Sequence, residues 1–367
     1  MKITQIHFVE IKGDAISNLM RGLKYIFEYY GYQNQNITEL FSDYSDTIPM
    51  VGSEFNSSNI LLNFKKFVTL EKKYYYLIKY LKNQKLKKKN LTKNLIEDSD
   101  IRIWHFGMWY PLMKNFHQND IIFFQNITFP YLTLGTNQDY VIESRQKLLT
   151  LKDLEPRFLT PSKFNKKTLE LMGFNPSSIE IIPLWHTYKL KYQKKHFTKP
   201  NLIAWGRYSF NKSIPELVSM AKINNLNLTV FGDNKTLKEF YLQYKEALNI
   251  SKFQDNIKLY GKIDSFESIL SKSNIYICNS RHEGFNMPAI EAMANSLPVI
   301  LRSGTAMDEL ITNGKEGYLY KHISEVPNLI NKIMKNYSYH SKMAWERSKV
   351  YYIDNIKYKM IKYIMKL

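Results

Sequence analysis

The chain has 367 residues, longer than one ordinary core and suited to two α/β domains of similar size. A hydrophobic content of 44% excludes a disordered chain, and a single cysteine, Cys278, excludes an internal disulfide and fits a reducing compartment. The 52 Lys and Arg against 33 Asp and Glu give a net charge of +19, a field that attracts nucleic acid, anionic lipid or phosphorylated small molecules.

In chain order, MKITQIHFVEI reads as a strand (Ile3 to Ile11) without the pattern of a secretory leader, and GDAISN leads into an amphipathic helix from Ser17 to Tyr30. Strand, Gly-containing turn and helix together open a doubly wound sheet. A Lys- and Tyr-rich helical stretch follows over 63–89. IRIWHF, DIIFFQNI and RFLTPSKF read as strands, Lys166 to Gly173 as a helix, and IEIIPLW as the last strand of this half. Residues 188–200 are polar and basic and read as a linker. The alternation then restarts. Strands NLIAWG, LNLTVFG, IKLYG, IYICNS and PVILR are separated by helices over 214–224, 235–248, 266–272 and 288–295, the pattern of a second parallel sheet. The stretch from Tyr337 is helical and basic. No apolar run is long enough to span a bilayer, so membrane contact is expected to be peripheral, on a cytoplasmic protein.

Ligands of such sheets bind beyond the carboxyl ends of the strands, which directs attention to the loops there. In NSRHEGFNMPAIEAMANSLPVI, a strand ends near Ser280, a loop carries His282, Glu283 and Gly284, and Pro288 suits the first turn of a helix. Glu291 lies about one turn inside. The helix N-terminus favours a phosphate, Glu291 suits a ribose diol, and Glu283 suits sugar hydroxyls. Taken without the rest of the pattern, stabilisation of its own helix is the stronger reading of Glu291. In WGRYSFNKS, Arg207 and Lys212 follow a strand, where fixed cations suit a diphosphate leaving group; a solvated pair is the plainer reading. Gly13 of GDAISN permits close backbone approach, although capping by Asp14 or Ser17 accounts for the motif. His105 ends a strand, Gln125 and Asn126 end the next, and His186 stands near the domain junction.

Taken in order, these residues resemble the family 4 retaining glycosyltransferases. EGFNMPAIEAM resembles that family's Glu, seven residues, Glu signature; GRYSFNKS resembles its Gly-Arg loop with a Lys five residues on; IKLYGKI, FLTPSKFNKKTLELMGFNPSSIEIIP and TAMDELITNGKEGYLY, with Glu309, resemble further segments. GDAISN, IRIWHFG and FFQNITFP resemble a subgroup's first domain. The resemblance covers nearly the whole chain and is strongest in the second half. It implies a GT-B fold: two Rossmann-like domains with parallel sheets facing across a cleft and a C-terminal helix returning to the first domain. The divisions would be an acceptor-side domain over 1–187, a linker over 188–200, a nucleotide-sugar domain over 201–345 and a helix over 346–367.

The resemblance also implies roles. Arg207, Lys212 and Gly13 would bind the donor diphosphate, and Glu291 the ribose. Gly261 and Ile263 would border the base; Gly284, Phe285 and Asn286 would position the sugar. Glu283 and His105 would face the reacting centre, with Gln125 and Asn126 on the acceptor side. The expected activity is retaining transfer of a hexose from a UDP- or GDP-sugar to a glycan or lipid-linked acceptor, with no cofactor or metal. Ser213 stands where the family has Gly, Asn286 where it has a small residue, Gln125 where the subgroup has His, and Leu184 to Thr187 replace Asn-Gly-Val-Asp. The basic 64–94 segment suits an anionic membrane surface, and a solvated helix face explains it equally. A catalytically silent, sugar- or lipid-binding GT-B partner is the alternative. No nucleic-acid partner is expected, because no zinc-finger or RRM spacing occurs.

Overall fold

The computed structural model describes residues 1–9, 15–40, 96–118, 120–133, 138–193, 197–249, 256–261 and 266–365. Gly13, Ile263 and the basic 64–94 segment lie outside the described residues. The chain divides into two compact units, residues 1–105 with 110–121, and 106–109 with 122–367.

The first unit holds β1 (Lys2–Val9), α1 (Ala15–Tyr29), β2 (Gln33–Leu40) and most of β3 (Ile101–Phe106). β1 runs parallel to β2, with Ile6 opposite Ile37, and parallel to β3, with Ile6 opposite Trp104. On β1 the run from Ile3 to His7 is buried without a break, so both faces of the strand are covered, and on α1 Leu19, Leu23, Ile26 and Phe27 are buried at helical spacing. Burial forces pairing elsewhere in the unit. The Trp104 indole donates to Asp120 at 2.8 Å and Arg102 to the other carboxylate oxygen at 2.5 Å. β2 escapes a sequence reading because QNQNITEL is nearly all polar. Its amides are used in a side-chain ladder instead, with the Gln5 amide donating to Asn34 and Asn36.

The second unit continues with β4 (Ile121–Phe124), α2 (Gln138–Leu149), β5 (Arg157–Thr160), α3 (Lys163–Leu171) and β6 (Ile179–Ile181). Then follow β7 (Asn201–Trp205), α4 (Ile214–Ile223), β8 (Asn227–Phe231), α5 (Asn234–Tyr244), β9 (Ile257–Tyr260), α6 (Phe266–Ser271), β10 (Ile275–Cys278), α7 (Met287–Ala294), β11 (Val299–Arg302) and β12 (Gly317–Tyr320). Helices α8 (Val326–Lys335), α9 (Tyr337–Ser348) and α10 (Ile353–Ile364) close the chain. Two six-stranded sheets result, ordered β2-β1-β3-β4-β5-β6 and β12-β11-β10-β7-β8-β9. All the registered pairings between strands are parallel, as expected of a doubly wound α/β protein. Strand β10 is buried along its whole length, as a central parallel strand covered on both faces must be.

The C-terminal helix returns to the first sheet. Tyr363 of α10 donates from its hydroxyl to the carbonyls of Phe158 and Ser178, at 3.0 and 3.1 Å, and Lys359 reaches the Ile181 carbonyl at 2.7 Å. Just before α10, Tyr352 forms a parallel bridge with His186. The His186 ring is buried. Its Nδ1 accepts from the Tyr188 N–H, so its Nε2 must carry the proton donated to the Ser348 carbonyl at 3.0 Å. His186 therefore ties the C-terminal segment to the end of the first half, a structural task.

Candidate functional site

The site grows from the carboxyl ends of β7 and β10. After Cys278 the chain turns through Ser280 to Asn286 before α7 begins. Asn286 sits at φ +101° and ψ +73°, which side chains rarely adopt. Its amide explains the choice: Oδ1 accepts from the Ala289 N–H at 3.1 Å, capping α7, and Nδ2 rests on the Met307 sulfur at 3.1 Å. Pro288 occupies the first turn, where no N–H is needed. The residue in place of a small one thus turns inward as a helix cap. Ser213 is likewise left-handed, at φ +49° and ψ +39°, so the usual glycine there has a backbone reason.

Glu291 lies one turn into α7, and its carboxylate receives the Trp205 indole N–H at 3.3 Å. Burial pushes its pKa up to about 7, and the indole hydrogen bond opposes this only in part. Trp205 stacks on Phe231, its register partner on β8, at 5.6 Å and 8°, and meets Tyr276 of β10 edge-on at 4.6 Å. A small cavity is lined by Trp205, Gly206, Lys212 and Tyr276. On its rim the Lys212 ammonium is paired with the Glu283 carboxylate; the two side chains are 20% and 12% exposed. Arg207 is exposed; against the upward effect of burial, hydrogen bonds from Thr236 and, to a lesser extent, the Arg207 charge hold the Asp233 carboxyl below its usual range.

The loop bearing Glu283 is pinned from the other side by the strand-end residues of the first sheet. Asn126 Oδ1 lies 2.7 Å from His282 Nε2, and the Gln125 carbonyl accepts from the Asn165 amide at 2.6 Å. Ser162, which caps α3, donates to the Gly284 carbonyl at 2.7 Å. Both carboxylate oxygens of Glu309 accept the first N–H groups of α3, from Lys163 and Phe164, at 2.8 Å each. His282 is wedged between the rings of Phe129 and Phe164, at 4.8 and 5.3 Å, and burial lowers its pKa to about 4. Near neutral pH it is an uncharged imidazole.

Two glycines are fixed by close approach. A Cβ on Gly261 would fall 1.7 Å from Asn234 Oδ1, so this residue marks where β9 meets the start of α5. A Cβ on Gly284 would fall 2.5 Å from the Gln125 carbonyl oxygen and 2.8 Å from Asn126 Cβ. Gly284→Ala is therefore expected to destabilise the protein by about 1–3 kcal/mol, the usual range for overpacking. Thermal unfolding followed by circular dichroism measures this, and an unchanged midpoint would show that the loop yields.

The structure brings together Lys212, Glu283, Gly284, Asn286 and Asn126 through the Glu283 loop, and seats Glu291 beneath Trp205. The side chains of two others are packed away from solvent. The Phe285 ring is buried against Tyr351 at 5.7 Å, leaving only its backbone for a ligand. His105 belongs to the first unit and has no exposed surface. Its Nε2 lies 3.0 Å from Gln5 Oε1, and burial together with His7 holds its pKa well below 6.5. The expectation that His105 faces a reacting centre thus meets a packed, neutral side chain. Sequence reasoning did not find the Trp205 contact or the Asn126–His282 pair, because neither partner lies near the other in sequence. Among the described residues no three metal-ligating side chains converge, and no helix is long and apolar enough to cross a membrane.

Known proteins place this architecture. The sucrose-phosphate synthase of Thermosynechococcus elongatus superposes with a TM-score of 0.70 at 16% identity, over 100% of this chain and 98% of that one. The fold is thus GT-B, an α/β architecture of two domains. Residues 189–349, the segment carrying Arg207, Lys212, Glu283 and Glu291, match the family Glycosyl transferases group 1. The poly(glycerol-phosphate) alpha-glucosyltransferase of Bacillus subtilis (strain 168) is 28% identical over 144 residues, 36% of this chain and 21% of that protein. The capsular polysaccharide biosynthesis glycosyltransferase CapM of Staphylococcus aureus is 25% identical over 195 residues, 49% of this chain and 50% of that protein. The chain thus spans half or less of the length of these relatives.

Proposed function

We propose that the protein is a retaining hexosyltransferase that moves a sugar from a UDP- or GDP-sugar to a glycan or lipid-linked acceptor. The observation that carries this reading is the Lys212–Glu283 pair, with Lys212 and Trp205 lining one small cavity and the Trp205 indole donating to the buried Glu291. A cation, a carboxylate and a second, separately buried carboxyl at the carboxyl ends of parallel strands match the three parts of a nucleotide-sugar. Lys212 and Arg207 neutralise the diphosphate as its bond to the sugar C1 breaks, an electrostatic task that needs no bound metal. Glu291 accepts the ribose hydroxyls, Gly261 and Ile263 border the base, and Glu283 accepts from the sugar. The acceptor hydroxyl bonds to C1 on the face the diphosphate leaves, and its proton departs with the phosphate or into water.

The names of the relatives, which include a poly(glycerol-phosphate) glucosyltransferase and a capsular polysaccharide glycosyltransferase, support a cell-surface glycan acceptor. Within this reading residues 1–187 serve the acceptor and 201–345 the donor. The protein works in the cytoplasm, resting its basic 64–94 segment on the membrane. A donor screen read by product mass, with membrane extract as acceptor, tests it. Transfer or hydrolysis of one UDP- or GDP-sugar, lost in Glu283→Ala and Arg207→Ala, is the expected result. Unaltered activity in both variants would sink the assignment, and nucleotide binding without turnover would favour a silent partner.

A further inference from the structure

We propose that Arg145 binds a phosphate group of the acceptor, giving the protein a phosphate-ester subsite beside the loop that bears Glu283. The proposal rests on the transferase reading and adds to it a residue and a ligand chemistry. Arg145 lies on α2, whose buried face is Val141, Ser144 and Leu148. Its guanidinium carbon stands 5.5 Å from the centre of the Phe129 ring. A cation over an aromatic ring gains from the ring's π face but finds no hydrogen-bond acceptor there, so its N–H groups must find acceptors elsewhere.

The structure supplies no acceptor for one of those nitrogens. Arg145 Nη1 is buried and makes no hydrogen bond. Among the described residues no carboxylate pairs with Arg145; the neighbouring Glu143 is taken by Lys147. A half-buried guanidinium without a carboxylate partner is costly, and an oxyanion supplies the missing counter-charge with charge-assisted contacts.

The position gives the anion a purpose. Phe129, under the guanidinium, touches His282 edge-on at 4.8 Å, and His282 immediately precedes Glu283. On Phe129 also lies Tyr131, stacked at 5.7 Å and 8°, with 62% of its surface exposed. A guanidinium fork beside an open aromatic face suits a polyol or sugar ring that carries a phosphate. The net charge of +19 favours phosphate over a singly charged carboxylate.

The test uses the full chain with its donor site saturated by UDP or GDP and titrates glycerol 3-phosphate by calorimetry, with glycerol and glucuronate as comparisons. Saturable binding of glycerol 3-phosphate is expected, at least about tenfold weaker in Arg145→Ala, with an intermediate loss in Arg145→Lys. Unchanged nucleotide affinity in these variants shows that they are folded; if the alanine variant fails that check, Arg145→Lys carries the comparison. Equal affinity in wild type and variant overturns the proposal, as does equal binding of glycerol or glucuronate, or a loss in Lys212→Ala alone. Failure of the wild type to bind either nucleotide strikes the transferase reading instead, and the Arg145 titrations are then run without nucleotide.

Discussion

Replacing Lys212 by alanine is expected to destabilise the protein by about 3 kcal/mol and to lower transfer about 100-fold or more. The two effects have different origins. Glu283 is only 12% exposed and has the Lys212 ammonium as its counter-charge. Removing that cation leaves a largely buried carboxylate unpaired, which costs far more than the pair itself contributes. Transfer suffers because a fixed cation at a departing diphosphate stabilises charge that develops only in the transition state. The double variant Lys212→Met with Glu283→Gln removes both charges, so it is expected to regain most of the stability and none of the transfer. Urea unfolding and product formation on the four proteins of this cycle separate the two effects. A single variant as stable as the wild type would show that the pair is solvated in solution. On the proposed function, an incoming diphosphate would compete with Glu283 for Lys212 and free the carboxylate to accept from the sugar.

Glu291 is expected to make both stability and nucleotide affinity depend on pH, in opposite directions. Its pKa in the folded protein is about 7, against an ordinary value of 4.5. Between those values the folded state binds the extra proton, so the stabilisation is fully present below pH 4.5 and is lost as pH rises through 7. A shift of this size corresponds to about 3 kcal/mol. The unfolding midpoint of the wild type should therefore fall more between pH 5 and pH 8 than that of Glu291→Gln. A bound ribose donates hydrogen bonds to the ionised form, so nucleotide affinity rises with pH up to about 7 and binding releases a proton. Titrating the same nucleotide into both proteins cancels the titration of its own phosphate. Parallel pH profiles for wild type and Glu291→Gln would remove Glu291 from the ribose contact.

Part of the fold could be read directly from the sequence, and the exceptions have physical causes. Strands such as IYICNS and PVILR carry continuous apolar runs because central parallel strands are covered on both faces. Strand β2 could not be read, because Asn34 and Asn36 are satisfied by Gln5, and Gln35 by Thr4, on the neighbouring strand, a partnership that no local pattern reveals. IEIIPLW reads as a full strand, yet only Ile179–Ile181 pairs; the chain then leaves the sheet toward the His186 knot. Helix α2, with charged residues spread around it, gives little helical periodicity.

The Glu283 to Glu291 signature was legible because it is local: a strand end, a loop and a Pro-led helix start within one stretch of chain. The sequence by itself placed those two carboxylates and the cations Arg207 and Lys212 at the carboxyl ends of strands. Only the tertiary structure decided what each one meets. It set Lys212 against Glu283, buried Glu291 under Trp205, turned Asn286 inward as a cap and enclosed His105. It also left Arg145 over Phe129 with a hydrogen-bonding edge unsatisfied. Burial and counter-charge are properties of the packed chain, and they govern whether a carboxylate, an imidazole or a guanidinium is free to act.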